Sequence, residues 1–265
     1  MLRGSQDPAG DSSKGRNVIQ SVDRAVRILF ALQGSRRMTL SELAAELGLP
    51  ATTAHGIVRT LTAHGMVVQE HGGGRYQLGP AVLRLGNVYL DTLDLRARAL
   101  TWAHELAKQT GLAVRVGVLL GEDIVIIHHE PRPDGSRQMP EVGIEIPAHA
   151  SALGKAVLAH LEPAADPLRS MTGATVTDPA LLADQLREVA STGIAYECDE
   201  AVLGESCVAG TVFDRAGAAV GAVGVVLPTT EWPAPEATVD AVRTTARTIS
   251  RELGASTWPA PPTRS

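Results

Sequence analysis

Two groups of residues have the types and spacing to do chemistry unaided. His128-His129-Glu130 lies in an apolar, β-prone stretch. Neighbours on a strand point to opposite faces, so His128 and Glu130 are the pair able to share one ion. With His149 they would offer three N/O ligands, but the spacing is not that of a zinc motif, and no metal is expected. Cys207 is the second candidate, a thiol nucleophile if a distant histidine served it. That role needs an exposed thiol whose pKa is lowered by a cation or a helix N-terminus. Val208 and Ala209 instead place Cys207 at the start of a buried strand, as a small core residue. No catalytic residue, cofactor or enzymatic activity is assigned.

The elements around these residues fall into two parts. Val22, Ala25, Val26 and Leu29 recur at helical spacing, so a first helix spans Ser21–Leu32 with Ser21 as its cap. Thr39-Leu40-Ser41-Glu42 is a capping box opening a second helix. That helix stops at Gly48, suited to a left-handed position, with Pro50 beyond it. A third helix buries Ala54, Ile57, Val58 and Leu61 and ends at His64-Gly65. Met66–Glu70 and Arg75–Leu78 flank His71-Gly72-Gly73-Gly74 and read as a hairpin. Three helices with a tight glycine turn between the second and third, then a hairpin, make a winged helix-turn-helix.

Ala81–Asp91 is a further helix with Val82, Leu85, Val88 and Tyr89 on one side. It is too short to stand alone and is expected to pack on a partner subunit. Another helix buries Leu95, Ala99, Trp102 and Leu106. Beyond it the chain turns β-rich: Ala113–Leu120 with Ile124–His129, a strand through Val142, Ile144 and Ile146, and Val208–Phe213 with Ala218–Leu227. Helices are expected over Ser151–Leu161 and Pro179–Thr192, and a last one carries Val239, Val242, Ala246, Ile249 and Leu253. Hairpins mixed with helices, without βαβ alternation, specify an α+β fold on an antiparallel sheet. The domains expected are therefore a disordered tail (1–17), the winged helix-turn-helix (18–80), a linker helix (81–93), a second domain (94–254) and a disordered, proline-rich tail (255–265).

Composition bounds the function. The net charge of −5 is unevenly divided: residues 1–93 hold 10 Lys and Arg against 7 Asp and Glu, a net of +3, so the remainder carries −8. A mildly basic front half joined to an acidic module fits a polyanionic partner for the first part alone. Aromatic residues are only 3%, so the core must rest on aliphatic side chains. No stretch approaches the roughly 18 apolar residues of a membrane span. Two cysteines are too few for a disulfide framework, and a cytoplasmic setting is expected.

These residues resemble an IclR-type transcriptional regulator over about 18–253. The resemblance rests on Ile19-Gln20-Ser21-Val22-Asp23-Arg24-Ala25, Leu40-Ser41-Glu42-Leu43-Ala44, Thr53-Ala54-His55, Tyr76-Gln77-Leu78-Gly79 and Leu83-Arg84-Leu85-Gly86. In the second half it rests on His149-Ala150-Ser151-Ala152-Leu153-Gly154-Lys155-Ala156 and Gly204-Glu205-Ser206-Cys207-Val208-Ala209. It implies a sequence-specific DNA-binding regulator, a repressor rather than an activator, that acts as a homodimer or a dimer of dimers. Its GAF-like second domain would bind a small organic effector, a carboxylic acid or aromatic compound.

In a helix-turn-helix the second helix of the motif enters the major groove of double-stranded DNA. Here that helix exposes Thr52, Thr53, His55, Gly56, Arg59 and Thr60. The threonines can bond bases or phosphates, and Arg59 reaches a phosphate more readily than a guanine. Arg36, Arg37 and Arg75 are expected at further phosphates; the plain alternative is an ordinary solvated surface. Gly56 stands where the family commonly places a basic residue, and the usual Lys or Arg near Ala51 is absent. Weaker or altered DNA binding is expected, and a sensor that acts only through protein partners stays open.

The resemblance places the effector among Ala150, Ser151, Ala152, Glu197, Cys207, Gly224 and Val226. Ser151 precedes a helix, where its hydroxyl and the nearby N–H groups could receive a carboxylate, or it merely caps that helix. Glu197 could accept from a hydroxyl or amine. Relatives often carry serines where this chain reads Gly224-Val225-Val226-Leu227-Pro228, so a more apolar pocket is expected.

Overall fold

In the computed structural model, which describes residues 18–135, 141–161 and 168–259, the chain divides into two units, Met1–Tyr89 and Leu90–Ser265. The expected tail 1–17 lies outside the described residues.

In the first unit, α1 (Gln20–Ser35), α2 (Leu40–Glu46) and α3 (Ala51–Ala63) precede the hairpin of β2 (Val67–Gln69) and β3 (Arg75–Leu78). The capping box forms as the sequence dictates. Glu42 N–H donates to Thr39 Oγ1 at 3.2 Å, and Thr39 N–H donates to Glu42 Oε2 at 2.6 Å. After α2, Gly48 takes φ 62°, a left-handed turn that swings the chain into α3. A two-residue strand, β1 (Met38–Thr39), pairs antiparallel with β3 and completes a three-stranded sheet. Ile28, Leu32, Leu43, Val58 and Val67 form this unit's core.

Two expectations for α1 need correction. Ser21 does not cap it; Ile19 holds the N-cap position without a side-chain bond. Nor does the stripe through Val22 and Val26 face the core. Ile28 and Leu32 are buried, whereas Val22, Val26 and Phe30 are exposed, by 57%, 42% and 63%. The helix is apolar on two sides, and periodicity alone does not say which side the unit covers. In α4 (Pro80–Asp91), Ala81 is buried and Leu83, Leu85, Val88 and Tyr89 are exposed.

The second unit is a six-stranded antiparallel sheet in the order β6-β5-β4-β9-β8-β7. The strands are β4 (Ala113–Leu120), β5 (Asp123–Glu130), β6 (Glu145–Pro147), β7 (Ile194–Cys198), β8 (Glu205–Phe213) and β9 (Ala219–Pro228). One face carries α5 (Asp94–Thr110) and α8 (Glu236–Glu252), packing Ala99, Leu106, Val242 and Ile249 onto Val114, Val116, Val208 and Val225. The other carries α6 (Ala152–Leu158), whose Leu153, Ala156 and Val157 meet Ile124, Ile126 and Ala209, beside α7 (Pro179–Thr192). This is the expected α+β architecture.

Three local expectations are revised. The strand through Val142, Ile144 and Ile146 shortens to β6, leaving Val142 and Ile144 exposed. The helix expected over Ser151–Leu161 is only Ala152–Leu158, preceded by a 3-10 turn at Ala148–Ala150. The tail expected to be disordered from Ala255 is described as far as Pro259. There Trp258 packs against Gly193 and donates its Nε1–H to the Thr211 carbonyl at 2.8 Å.

Candidate functional site

Two sites emerge, one in each unit. On α3 the buried positions Ala54 and Val58 turn one side inward, so Thr52, His55, Arg59 and Thr60 are exposed on the other. Thr53 is half-buried at the flank. The Thr60 hydroxyl donates back to the Gly56 carbonyl at 3.1 Å. Gly56 itself faces open space, since a Cβ there would meet no atom within 4 Å. Arg75 begins β3 and is exposed. Arg37 is tied to the wing by an ion pair with Glu70 at 2.8 Å, and Arg36 follows α1 with φ 62°.

The second unit holds a cavity of about 290 Å³ between the sheet, the Glu141–Pro147 segment and the loop after β7. Ile126, Ile144, Ile146 and Leu153 supply apolar wall; Arg115, Glu141, Glu145, Glu197 and Glu205 supply charge. β4 projects Arg115 into it. Its Nε donates to Glu141 Oε2 at 2.5 Å, and its Nη2 donates to Glu141 Oε1 at 2.8 Å and to Glu205 Oε2 at 3.0 Å. Burial opposes the Arg115 charge, but the bonds and charges of Glu141 and then Glu205 outweigh it and raise its pKa. Burial likewise opposes ionisation of Glu141, and Arg115 outweighs that too, holding the carboxyl below its ordinary range.

Glu197 has no such cation bonded to it. Burial pushes its carboxyl up to about 7, against the pull of the Glu200 N–H, which donates to Oε2 at 3.0 Å. Opposite it on β8, Cys207 is 5% exposed. Burial, helped by the Glu197 charge, raises its thiol pKa, the reverse of an activated nucleophile.

Of the seven residues that resemblance places at the effector, Ser151, Glu197 and Cys207 line the cavity. Ala150 and Ala152 are fully buried, and neither they nor Gly224 and Val226 are among the lining residues. Gly224 serves the sheet: a Cβ there would come within 2.7 Å of the Val208 carbonyl oxygen. Ser151 Oγ accepts from Gly154 N–H at 3.0 Å, so its hydroxyl caps α6. Because Gly224 and Val226 do not line the cavity, its wall neither meets nor overturns the more apolar pocket expected from Gly224 to Pro228.

The pattern of both halves recurs in known proteins. Residues 21–71 match the IclR helix-turn-helix domain, and residues 87–251 match the bacterial transcriptional regulator IclR C-terminal domain. The chain belongs to the IclR family. Among IclR-type relatives, the glycerol operon regulatory protein of Streptomyces griseus is 45% identical over 89% of this chain and 97% of its own. The transcriptional repressor AllR of Salmonella typhimurium is 28% identical over 89% and 90%. An IclR regulator structure from Alicyclobacillus acidocaldarius superposes with a TM-score of 0.77 at 28% identity, covering 89% of this chain and all of the other. The family is one of transcriptional regulators, not enzymes.

In this IclR-family chain the histidine cluster is not assembled as a ligand set. His128 Nε2 lies 3.6 Å from Glu130 Oε2, and Glu130 Oε1 bonds His104 Nδ1 at 3.0 Å. His149 is elsewhere, bonded through Nε2 to the Arg169 carbonyl at 2.9 Å. Among the described residues no group of three or more His, Cys, Asp or Glu is placed to hold a metal ion. Sequence reasoning passed over Arg115, Glu141 and Glu205. Arg115 did leave a signal, being the one charge inside the apolar run Ala113–Leu120.

Proposed function

We propose that this chain is a homodimeric repressor of an operon for the catabolism of a small carbon source, released or tuned by an effector in the Arg115–Glu197 cavity. The observation that carries the reading is the pairing, in one chain, of an IclR helix-turn-helix presenting Thr52, His55 and Arg59 with a C-terminal unit holding a walled cavity. The Streptomyces relative's name makes a glycerol-type operon the first target, and the AllR name supports repression.

Thr52, Thr53, His55 and Arg59 read the major groove in this account, while Arg36, Arg37 and Arg75 hold phosphates. Arg37 must exchange Glu70 for a phosphate to do so. The exposed apolar faces of α1 (Val22, Val26, Phe30) and α4 (Leu83, Val88) are the dimer contacts, since patches of this kind mark protein interfaces. Two copies then address half-sites about one helical turn, or a multiple of it, apart. The effector shifts the population of dimer arrangements that match them. The setting is cytoplasmic; among the described residues no helix is long and apolar enough to cross a membrane.

The test is a salt titration of binding to the duplex upstream of the chain's own gene, against a scrambled duplex. Tight binding to the first alone, weakening steeply with salt as counterion release demands, is the expected result. Equal weak binding to both duplexes contradicts it.

A further inference from the structure

The charges on the cavity wall are weighted against an anion. Among the described residues lining the cavity, Arg115 is the one cation, and it is bonded to both Glu141 and Glu205. Lys155 is buried and is not among the lining residues, with its Nζ on Glu200 Oε1 at 2.5 Å. The Ser151 hydroxyl accepts from the Gly154 N–H, so its own O–H is the one neutral side-chain donor it offers. A carboxylate or phosphate reaching Arg115 would sit beside Glu141 and Glu205, like charge against like charge, with Glu145 and Glu197 also on the wall. Nor does any aromatic side chain among the described residues line the wall, so an aromatic ring would find no stacking partner.

What the wall offers instead is carboxyl oxygens around an apolar floor. Glu141, Glu197 and Glu205 accept hydrogen bonds, while Ile126, Ile144 and Leu153 cover carbon skeleton. On the reading of this cavity as the effector site, we infer that the effector is a small uncharged polyol, not the carboxylic acid or aromatic compound that family resemblance implies. A hydroxyl donates to a glutamate and can accept from Arg115 at once. An ammonium only donates, and it would face the guanidinium. Glu197 fits the same ligand, because a carboxyl raised to about 7 is partly protonated at neutral pH and can itself donate.

The experiment is calorimetry and thermal shift on the full chain with probes sharing a three-carbon skeleton: glycerol, glycerate, glycerol 3-phosphate and 2-amino-1,3-propanediol. Uncharged polyols of four to six carbons extend the series. At least one uncharged polyol is expected to bind about tenfold or more tighter than every charged probe. Glu205→Gln, at a partly exposed carboxyl, removes one competitor for Arg115. It should raise glycerate affinity about tenfold relative to wild type, while polyol affinity falls or stays level, since the amide keeps one acceptor oxygen but loses the charge. An acid, phosphate or amine that binds wild type as tightly as the best polyol overturns the inference. If the polyols fail while a charged molecule shifts operator affinity, the polyol class falls and the sensor reading survives. If no small molecule of any charge binds, both fall.

Discussion

Arg115 and Glu141, 26 positions apart in the chain, are joined by two hydrogen bonds at 2.5 and 2.8 Å on the wall of the cavity. The pair pins the Glu141–Pro147 segment to β4. Glu141→Gln keeps the volume but replaces a charged acceptor and turns an N–H₂ toward the guanidinium. Hydrogen bonds to charged groups contribute about 1.5–3 kcal/mol, so urea unfolding of this variant should show a loss of that order. No measurable loss would mean the pair does not hold the segment.

Glu197 gives a pH dependence with a definite sign. Its folded pKa, about 7, lies above its ordinary 4.5, so between these values the folded state binds more protons than the unfolded. Its contribution is therefore present at low pH and is lost as pH rises through 7. Glu197→Gln has no charge to develop. The stability of the variant relative to wild type should grow between pH 5 and pH 8, by at most about 3 kcal/mol at 1.36 kcal/mol per pKa unit. Parallel stability curves would show that Glu197 titrates normally.

Lys155 and Glu200 form a buried ion pair, further fixed by the Val176 N–H on Glu200 Oε2 at 3.3 Å. Removing one partner leaves a buried charge uncompensated, so Lys155→Met should lose about 3–5 kcal/mol. Replacing both with methionine should recover more than half of that loss. A double variant as unstable as the single one would contradict a charge-pairing role.

A Cβ at Gly56 would meet no atom within 4 Å, and the position lies inside a helix. Gly56→Ala should stabilise the first unit by about 1 kcal/mol through helix propensity. Gly56→Arg should add a phosphate contact, steepening the plot of log K against log salt by about 0.9. An unchanged slope would place this face of α3 away from the DNA.

The apolar faces of α1 and α4 test the dimer. Val26→Glu with Val88→Glu alters two exposed positions and leaves the cores intact. Sedimentation should give monomer for the double variant and dimer for wild type, with operator affinity down at least tenfold. A double variant that still sediments as a dimer places the interface elsewhere.

How much of this was legible in the sequence varied with the range of the interactions. The capping box at Thr39, the turn at Gly48 and the glycine-rich wing are local signals, and the elements they announce are present. β1 was missed because two residues, Met38 and Thr39, carry no periodicity; their strand exists only through β3. β7 is five residues long and is defined by pairing with β8, which sets Glu197 across from Cys207. The cavity was half readable. Arg115 announced itself as a charge in an apolar run, but Glu141 and Glu205 come from 26 and 90 positions away. At the C-terminus, proline-rich composition hid an anchor, Trp258.

Regulation by this chain requires one coupling: occupancy of the cavity must change what α3 does. The decisive measurement is operator affinity, by fluorescence anisotropy, with and without a polyol that thermal shift shows to be bound. The account predicts at least a fivefold loss of affinity, the lower end of typical coupling free energies. A bound polyol that leaves operator affinity unchanged, with the protein fully loaded, would contradict it.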